Sequence, residues 1–183
     1  VSLLQESHRL AFRDELTGLP SRRALEERLH GLGPAYAIAM VDVDHFKQFN
    51  DTHGHAIGDQ VLRLVGSRLA QVPGGGTAYR YGGEEFCILF PELGVQVALP
   101  HVEQLRADIA AYQMAVRTPD RPIDPEAGTM LRQLRSPEKT LSVAVSIGVA
   151  QPDEQRATPA EVVIAADRAL YRAKEGGRNR VST

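Results

Sequence analysis

The 183-residue chain contains one cysteine, Cys87, set inside an apolar run. A lone cysteine excludes an intramolecular disulfide and a cysteine-based zinc site. The sequence also lacks an apolar stretch long enough to cross a bilayer, and no signal-peptide pattern opens it. Nor is there an excess of one charge: 21 Lys and Arg against 23 Asp and Glu leave a formal charge of −2. That balance removes any bulk reason to expect nucleic acid or an anionic membrane as partner. No internal repeat is present. The chain starts at Val1 rather than Met, so we expect a piece of a longer protein: a cytoplasmic domain, with room upstream for a sensor or a membrane anchor.

What is present is an ordinary globular composition, 43% hydrophobic and 24% charged, sufficient for one domain with a core. Residues 1–13 place Leu3, Leu4, Leu10 and Ala11 on one helical stripe, expected as a connector helix ending an upstream linker, with 14–183 as the domain proper. "DELTGLPSRRALEERL" reads as a turn around Gly18 and Pro20 followed by a short helix from about Ser21. "YAIAMVDVD", residues 36–44, is a strand whose unbroken apolar start suggests a central place in a sheet covered on both faces. Val61, Leu64, Val65, Leu69 and Val72 predict an amphipathic helix over about 59–72, and "PGGG" at 73–76 ends it. "TAYRYGGEEFCILF" predicts a hairpin turning at Gly82-Gly83.

A helix over roughly 95–114 turns Val102, Leu105, Ile109 and Tyr112 inward, with Pro100 in its first turn or kinking it. Residues 117–139 hold four of the eleven prolines and read as a surface excursion with one helical turn near Met130–Leu134. "LSVAVSIGVA" alternates as a strand, "PAEVVIAADRALYRAKEGG" is a helix with a glycine stop, and a short strand near 179–181 follows. The order β-α-β-β-α-β predicts an α+β, ferredoxin-like antiparallel sheet with helices on one face, plus the N-terminal helix and the excursion.

In that topology the end of the first strand, "VDVD", approaches the hairpin turn carrying "GGEE". Asp42, Glu84 and Glu85 then converge, with Asp44 nearby. Clustered carboxylates repel unless a divalent cation binds them. All-oxygen ligands select Mg²⁺ first and Mn²⁺ next, and Mg²⁺ commonly shares its shell with substrate phosphates. The other reading is that "DVD" is a strand end and "GGEE" an exposed type I′ turn with solvated charges. Backbone amides near His45 and Phe46 form a small anion nest, and Lys47 adds a point charge suited to phosphate. Asn50, Asp51 and Asp59 carry groups able to read a base edge, although from chemistry alone Asp59 as a helix cap and Asn50 as a turn residue are the favoured readings. His53 and His55 flank Gly54 without a third ligand, so zinc is not expected. Lys174 and Arg178 either complement a helix dipole or bind outer phosphates, and Arg80 braces a carboxylate or touches phosphate.

"RYGGEEF" resembles the signature of the GGDEF family of diguanylate cyclases, in its Glu-containing version. "DELTGLPSRR", "VDVDHFKQFNDTHGHAIGD", "LSVAVSIGVA" and "ADRALYRAKEGGRN" resemble further blocks of that family in the same order, over roughly residues 14–180. The resemblance implies a palm-type catalytic domain that joins two GTP molecules into cyclic di-GMP with release of two pyrophosphates, each domain of a facing homodimer holding one GTP. It implies Asp42, Glu85 and the Val43 carbonyl as Mg²⁺ ligands, with Mn²⁺ able to substitute. Glu84 is placed near the attacking 3′-hydroxyl as a ligand or proton acceptor. Asn50 and Asp59 are implied to read guanine. Lys47, Lys174, Arg178 and the amides of His45 and Phe46 meet phosphates, and Arg80 supports the loop. The family's upstream Arg-x-x-Asp product-inhibition site is missing: Gly74-Gly75-Gly76-Thr77 stand there. A catalytically silent GTP-binding regulatory module is the alternative.

Overall fold

A computed structural model of the chain describes residues 12–115, 140–155 and 158–183. Its elements are α1 (Arg22–Leu29), β1 (Tyr36–Val43), α2 (Phe46–His53), α3 (His55–Leu69), β2 (Thr77–Arg80), β3 (Glu85–Pro91), α4 (Val95–Ala111), β4 (Met114–Ala115), β5 (Thr140–Leu141), β6 (Val145–Ala150), α5 (Pro159–Glu175) and β7 (Val181–Ser182). The main sheet has the order β2-β3-β1-β6-β7, while β4 and β5 pair separately. The pairs β2–β3, β3–β1 and β1–β6 are antiparallel. The expected α+β sheet is therefore present, but β7 pairs parallel to β6 and makes it mixed.

Every residue of β1 is buried, because both of its pleat faces are apolar and each needs a cover. Ala37, Ala39, Val41 and Val43 face a core shared with Val61, Val65 and Leu69 of α3 and Val102, Leu105 and Ile109 of α4. Ile38 and Met40 face a second core with Leu25 of α1 and Val162, Ala166 and Leu170 of α5. Helices thus cover both faces of the sheet, which corrects the one-face expectation.

Two further expectations change. Residues 46–53 and 55–69 are helices, not one loop leading to a helix at 59. Gly54, at φ +84°, separates them, and Phe46 and Phe49 anchor the first to the core. Helix α4 stops at Ala111, so Tyr112 swings out on extended backbone (ψ 126°). Its ring lies under the Arg68 guanidinium at 4.5 Å instead of in the core. Pro100 lies inside α4, past its first turn. The expectations for residues 1–11 and for the 117–139 excursion fall outside the described residues. Among those described, no helix is long and apolar enough to cross a membrane.

Cys87 is fully buried in β3, and burial pushes its thiol up to about 12. The fold favours the protonated thiol, so this contribution is complete below the ordinary thiol value of 9.0 and is lost as pH rises from there toward about 12. Because the thiolate is the reactive species, native protein at pH 8 should resist Ellman's reagent while urea-unfolded protein reacts at once. Rapid labelling of the native state would contradict this burial.

Candidate active site

The face of β1 that carries Ile38 and Met40 ends in Asp42, followed by Asp44. An apolar strand face thereby changes to an acidic one where the chain leaves the core. Asp42 is 7% exposed and stands directly across from Glu85 on β3 and Ser146 on β6. Val43 donates its N–H to the Glu84 carbonyl at 3.3 Å, which draws the hairpin turn against the strand end. Lys174 Nζ reaches Asp42 Oδ2 at 2.8 Å. Burial pushes the Asp42 carboxyl above the usual range, and Glu84 and Glu85 push it further, against the pull of Lys174. Lys174 pairs with Asp42, while the charges of Arg80 and Arg22 act on Glu84 and Glu85.

The turn between β2 and β3 is held by Arg80. Its Nε donates to the Gly82 carbonyl at 2.6 Å and its Nη2 to the Gly83 carbonyl, while the guanidinium lies 4.9 Å over the Phe86 ring. Burial lowers the Arg80 pKa, and Asp14, Asp59 and Glu84 oppose that shift. Neither Gly82 nor Gly83 is in the left-handed region that a type I′ turn requires. The turn is therefore not the exposed I′ hairpin of the alternative reading, and Glu84 and Glu85 are both half-buried. A Cβ at Gly82 would stand 3.2 Å from Glu85 Oε2, and one at Gly83 would meet nothing within 4 Å.

Asn50 lies on α2 and Asp59 on α3, the two helices joined at Gly54. Asn50 packs on Gly58 so closely that a Cβ there would fall 1.8 Å from Asn50 Oδ1. That oxygen is buried and has no hydrogen-bond partner among the described residues. An unpaired buried acceptor costs free energy unless something arrives to pair with it. Asp59 sits in α3 itself, not at its cap, and its charge acts on Arg80, linking this junction to the hairpin turn. His45 adopts φ +57° immediately before α2, a left-handed step into a helix that turns successive N–H groups outward. Lys47 is exposed in the first turn of α2.

Helix α5 starts with a Thr158–Glu161 capping box and Pro159. Its end is set by Gly176 and by Gly177 at φ +111°. These limits put Lys174 in the last turn and leave Arg178 exposed just beyond it. Asp42, Glu84, Glu85, Lys174 and Arg80 thus gather at one end of the sheet, with Asp59 linked to them through Arg80.

Among the described residues no three His, Cys, Asp or Glu close around one point as a ready ion cage. Glu84 and Glu85 both act on Asp42 from the hairpin side. Two carboxylates facing each other across β1 and β3, with a backbone carbonyl beside them, nevertheless fit Mg²⁺, which fills its remaining positions with water and phosphate oxygens. A cavity of about 310 Å³ opens beside α2, bordered by Asp44, His45, Phe49, His53 and Val143. Its lining includes neither Asn50 nor Asp59.

Sequence reasoning missed Asp14. Its Oδ1 accepts from the Thr17 N–H at 2.8 Å and the Thr17 hydroxyl at 2.6 Å, and lies 3.6 Å from Arg80 Nη1. The Asp-x-x-Thr spacing is a side-chain turn signal that was available; the reach to Arg80 was not. Asp44 was placed only near the site, and Ser146 and Asn179 were not considered.

The family model described as "Diguanylate cyclase, GGDEF domain" matches residues 11–131 and 120–180. The diguanylate cyclase DgcP of Pseudomonas aeruginosa is 35% identical over 188 residues, covering 98% of this chain and 25% of that protein. The diguanylate cyclase DgcZ of Escherichia coli is 39% identical over 176 residues, covering 91% of this chain and 51% of its own. The crystal structure of the coiled coil and GGDEF domain of DgcB from Caulobacter crescentus, in complex with c-di-GMP, superposes with a TM-score of 0.79 at 32% identity, covering 98% of this chain and 88% of that one. The chain spans between a quarter and about half the length of these curated relatives.

Proposed function

Since the chain belongs to the diguanylate cyclase GGDEF domain family, we propose that it condenses two GTP molecules into cyclic di-GMP, with residues 14–183 as the catalytic unit and 1–13 as its connector. The observation that carries this reading is the register of β1 against β3, which sets Asp42 opposite Glu85 at the buried end of the sheet with Lys174 paired to Asp42. Asp42, Glu85 and the Val43 carbonyl hold Mg²⁺, or Mn²⁺ in its place. When bound, the ion supplies positive charge against the triphosphate and lowers the pKa of a coordinated hydroxyl.

This chain's own groups do the rest. Asn50 and Asp59 read the guanine edge; the unpaired Asn50 Oδ1 favours a ligand donor there. Lys47, Lys174, Arg178 and the His45 and Phe46 amides bind phosphate oxygens, stabilising charge that grows on the α-phosphate and the departing pyrophosphate. Lys174 exchanges its Asp42 contact for phosphate on binding. Glu84 lies near the attacking 3′-oxygen as a ligand or proton acceptor, and Arg80 keeps the turn in place. Two new phosphodiester bonds form and two α–β phosphoanhydride bonds break, releasing two pyrophosphates. One domain holds one GTP, so two must face each other, and dimerisation supplies the proximity. Feedback through an Arg-x-x-Asp site is absent from this scheme, because glycines occupy that segment. An upstream sensory or regulatory region would control the pairing.

Incubating the protein with GTP and Mg²⁺, both as isolated and as an artificially dimerised form, tests this. Cyclic di-GMP should appear from the dimerised form, and ATP should be turned over at least about a hundredfold less well, since a site built to hydrogen-bond a base edge rejects one lacking it. Asp59→Ala should erode that preference. No product from the dimerised form, or equal use of ATP, would reject the proposal.

A further inference from the structure

We propose that Asp44 is a positioning residue that clamps the Arg178-Asn179 turn and thereby aims Arg178 at the substrate's phosphates. Both of its carboxylate oxygens are committed. Oδ1 accepts from the Ser146 hydroxyl at 2.7 Å, and Oδ2 accepts from the Asn179 N–H at 2.9 Å. Asp44 is 9% exposed, so these bonds lie where water competes poorly. The carboxylate that the sequence places beside the metal ligands is thus occupied in holding a segment 135 residues away in the chain.

That segment needs holding. Arg178 and Asn179 are consecutive non-glycine residues at φ +61° and +45°, a conformation that costs each of them free energy unless its surroundings impose it. The surroundings do so at several points. The Arg178 N–H donates to the Ala173 carbonyl at 3.0 Å, and the Arg180 carbonyl accepts from the Ile147 N–H at 2.9 Å. From the other side, Arg106 of α4 donates through Nη1 to Asn179 Oδ1 at 2.6 Å. The backbone on each side of Arg178 is pinned while its side chain stays exposed. A long cation on a fixed backbone loses less freedom on meeting a phosphate than one on a mobile turn.

This inference rests on the proposed role of Arg178 in phosphate binding, and the test separates the two. Affinity for a GTP analogue with a methylene between the α- and β-phosphates is measured by calorimetry with saturating Mg²⁺. Arg178→Ala should weaken binding about tenfold, the loss of a charge-assisted hydrogen bond. Asp44→Ala should weaken it five- to tenfold, roughly, and the double variant should bind no worse than Arg178→Ala, since the clamp acts through that arginine. Asp44→Asn is the conservative rescue. Its amide oxygen can accept from the Asn179 N–H while its nitrogen donates to the Ser146 oxygen, so affinity should stay within about threefold of wild type.

Multiplying losses in the double variant, or an Asp44→Asn variant as weak as Asp44→Ala, would overturn the clamp and point to direct ion binding instead. Should Arg178→Ala bind like wild type, the phosphate role of Arg178 itself fails, and the clamp has no purpose. If Asp44→Ala does not fold, Arg106→Met cuts the outer end of the same network. A loss of about threefold that disappears in the Arg178→Ala background supports the clamp, and unchanged affinity overturns it.

Discussion

Replacing Asp42 or Glu85 by alanine should lower cyclic di-GMP formation on the order of a thousandfold, because a divalent ion at a phosphoryl centre contributes several kcal/mol to the barrier. The two variants are expected to behave alike, since the residues are neighbours across one strand pair. The fold should survive both. Burial already disfavours the charged form of Asp42, so its removal relieves a cost, and Lys174, about one-third exposed, can turn its ammonium to water. We expect Asp42→Asn to melt at or above the wild-type temperature while making no product, a trade of stability against function common at active sites. Near-normal turnover in either alanine variant, in a dimerised form, would reject the proposed metal-binding role of these carboxylates.

The largest loss of stability should come from one methyl group at Gly148. This residue lies in β6, opposite Met40 on β1 and Ser182 on β7. Helix α5 crosses directly over it. A Cβ there would stand 2.0 Å from the Leu170 nitrogen, 2.2 Å from the Ala166 oxygen and 2.7 Å from the Ala169 carbonyl carbon. All three are backbone atoms, so no rotamer change can make room. The helix would have to lift from the sheet and open the core formed by Ile38, Met40, Ala166 and Leu170.

Such overpacking against rigid backbone costs about 4 kcal/mol. For a domain of this size that is a fall of roughly 8–16 °C in melting temperature. Since α5 carries Lys174 in its last turn, any Gly148→Ala protein that remains folded should also bind nucleotide more weakly. A thermal midpoint within about 2 °C of wild type would show that the helix does not press on this strand as described.

The prediction at Gly148 also shows what could not be read in advance. In "LSVAVSIGVA" the glycine occupies an alternating strand, and nothing local says that a helix twenty residues later will lie on it. The same holds at Gly58, whose missing side chain makes space for Asn50. Features written in short-range pattern were legible: the doubly apolar β1, the stripe of α3, the glycine stop of α5 and the acidic pair after Gly82-Gly83. The errors fell where a local pattern was weak or ambiguous. Residues 46–53 are polar enough to read as loop, yet Phe46 and Phe49 suffice to seat a helix. Tyr112 continued the helical spacing of α4, but the helix ended one residue before it.

The sequence alone determined the periodicities, the turns, the family resemblance and the chemical types at the site, because each of these is encoded within a few neighbouring residues. Only the tertiary structure decided that Asp42 meets Lys174, while Asp44, two residues on, is spent on Ser146 and Asn179. Strand register and helix placement are settled by how whole faces pack, and packing joins residues more than a hundred positions apart in ways that no local spacing records.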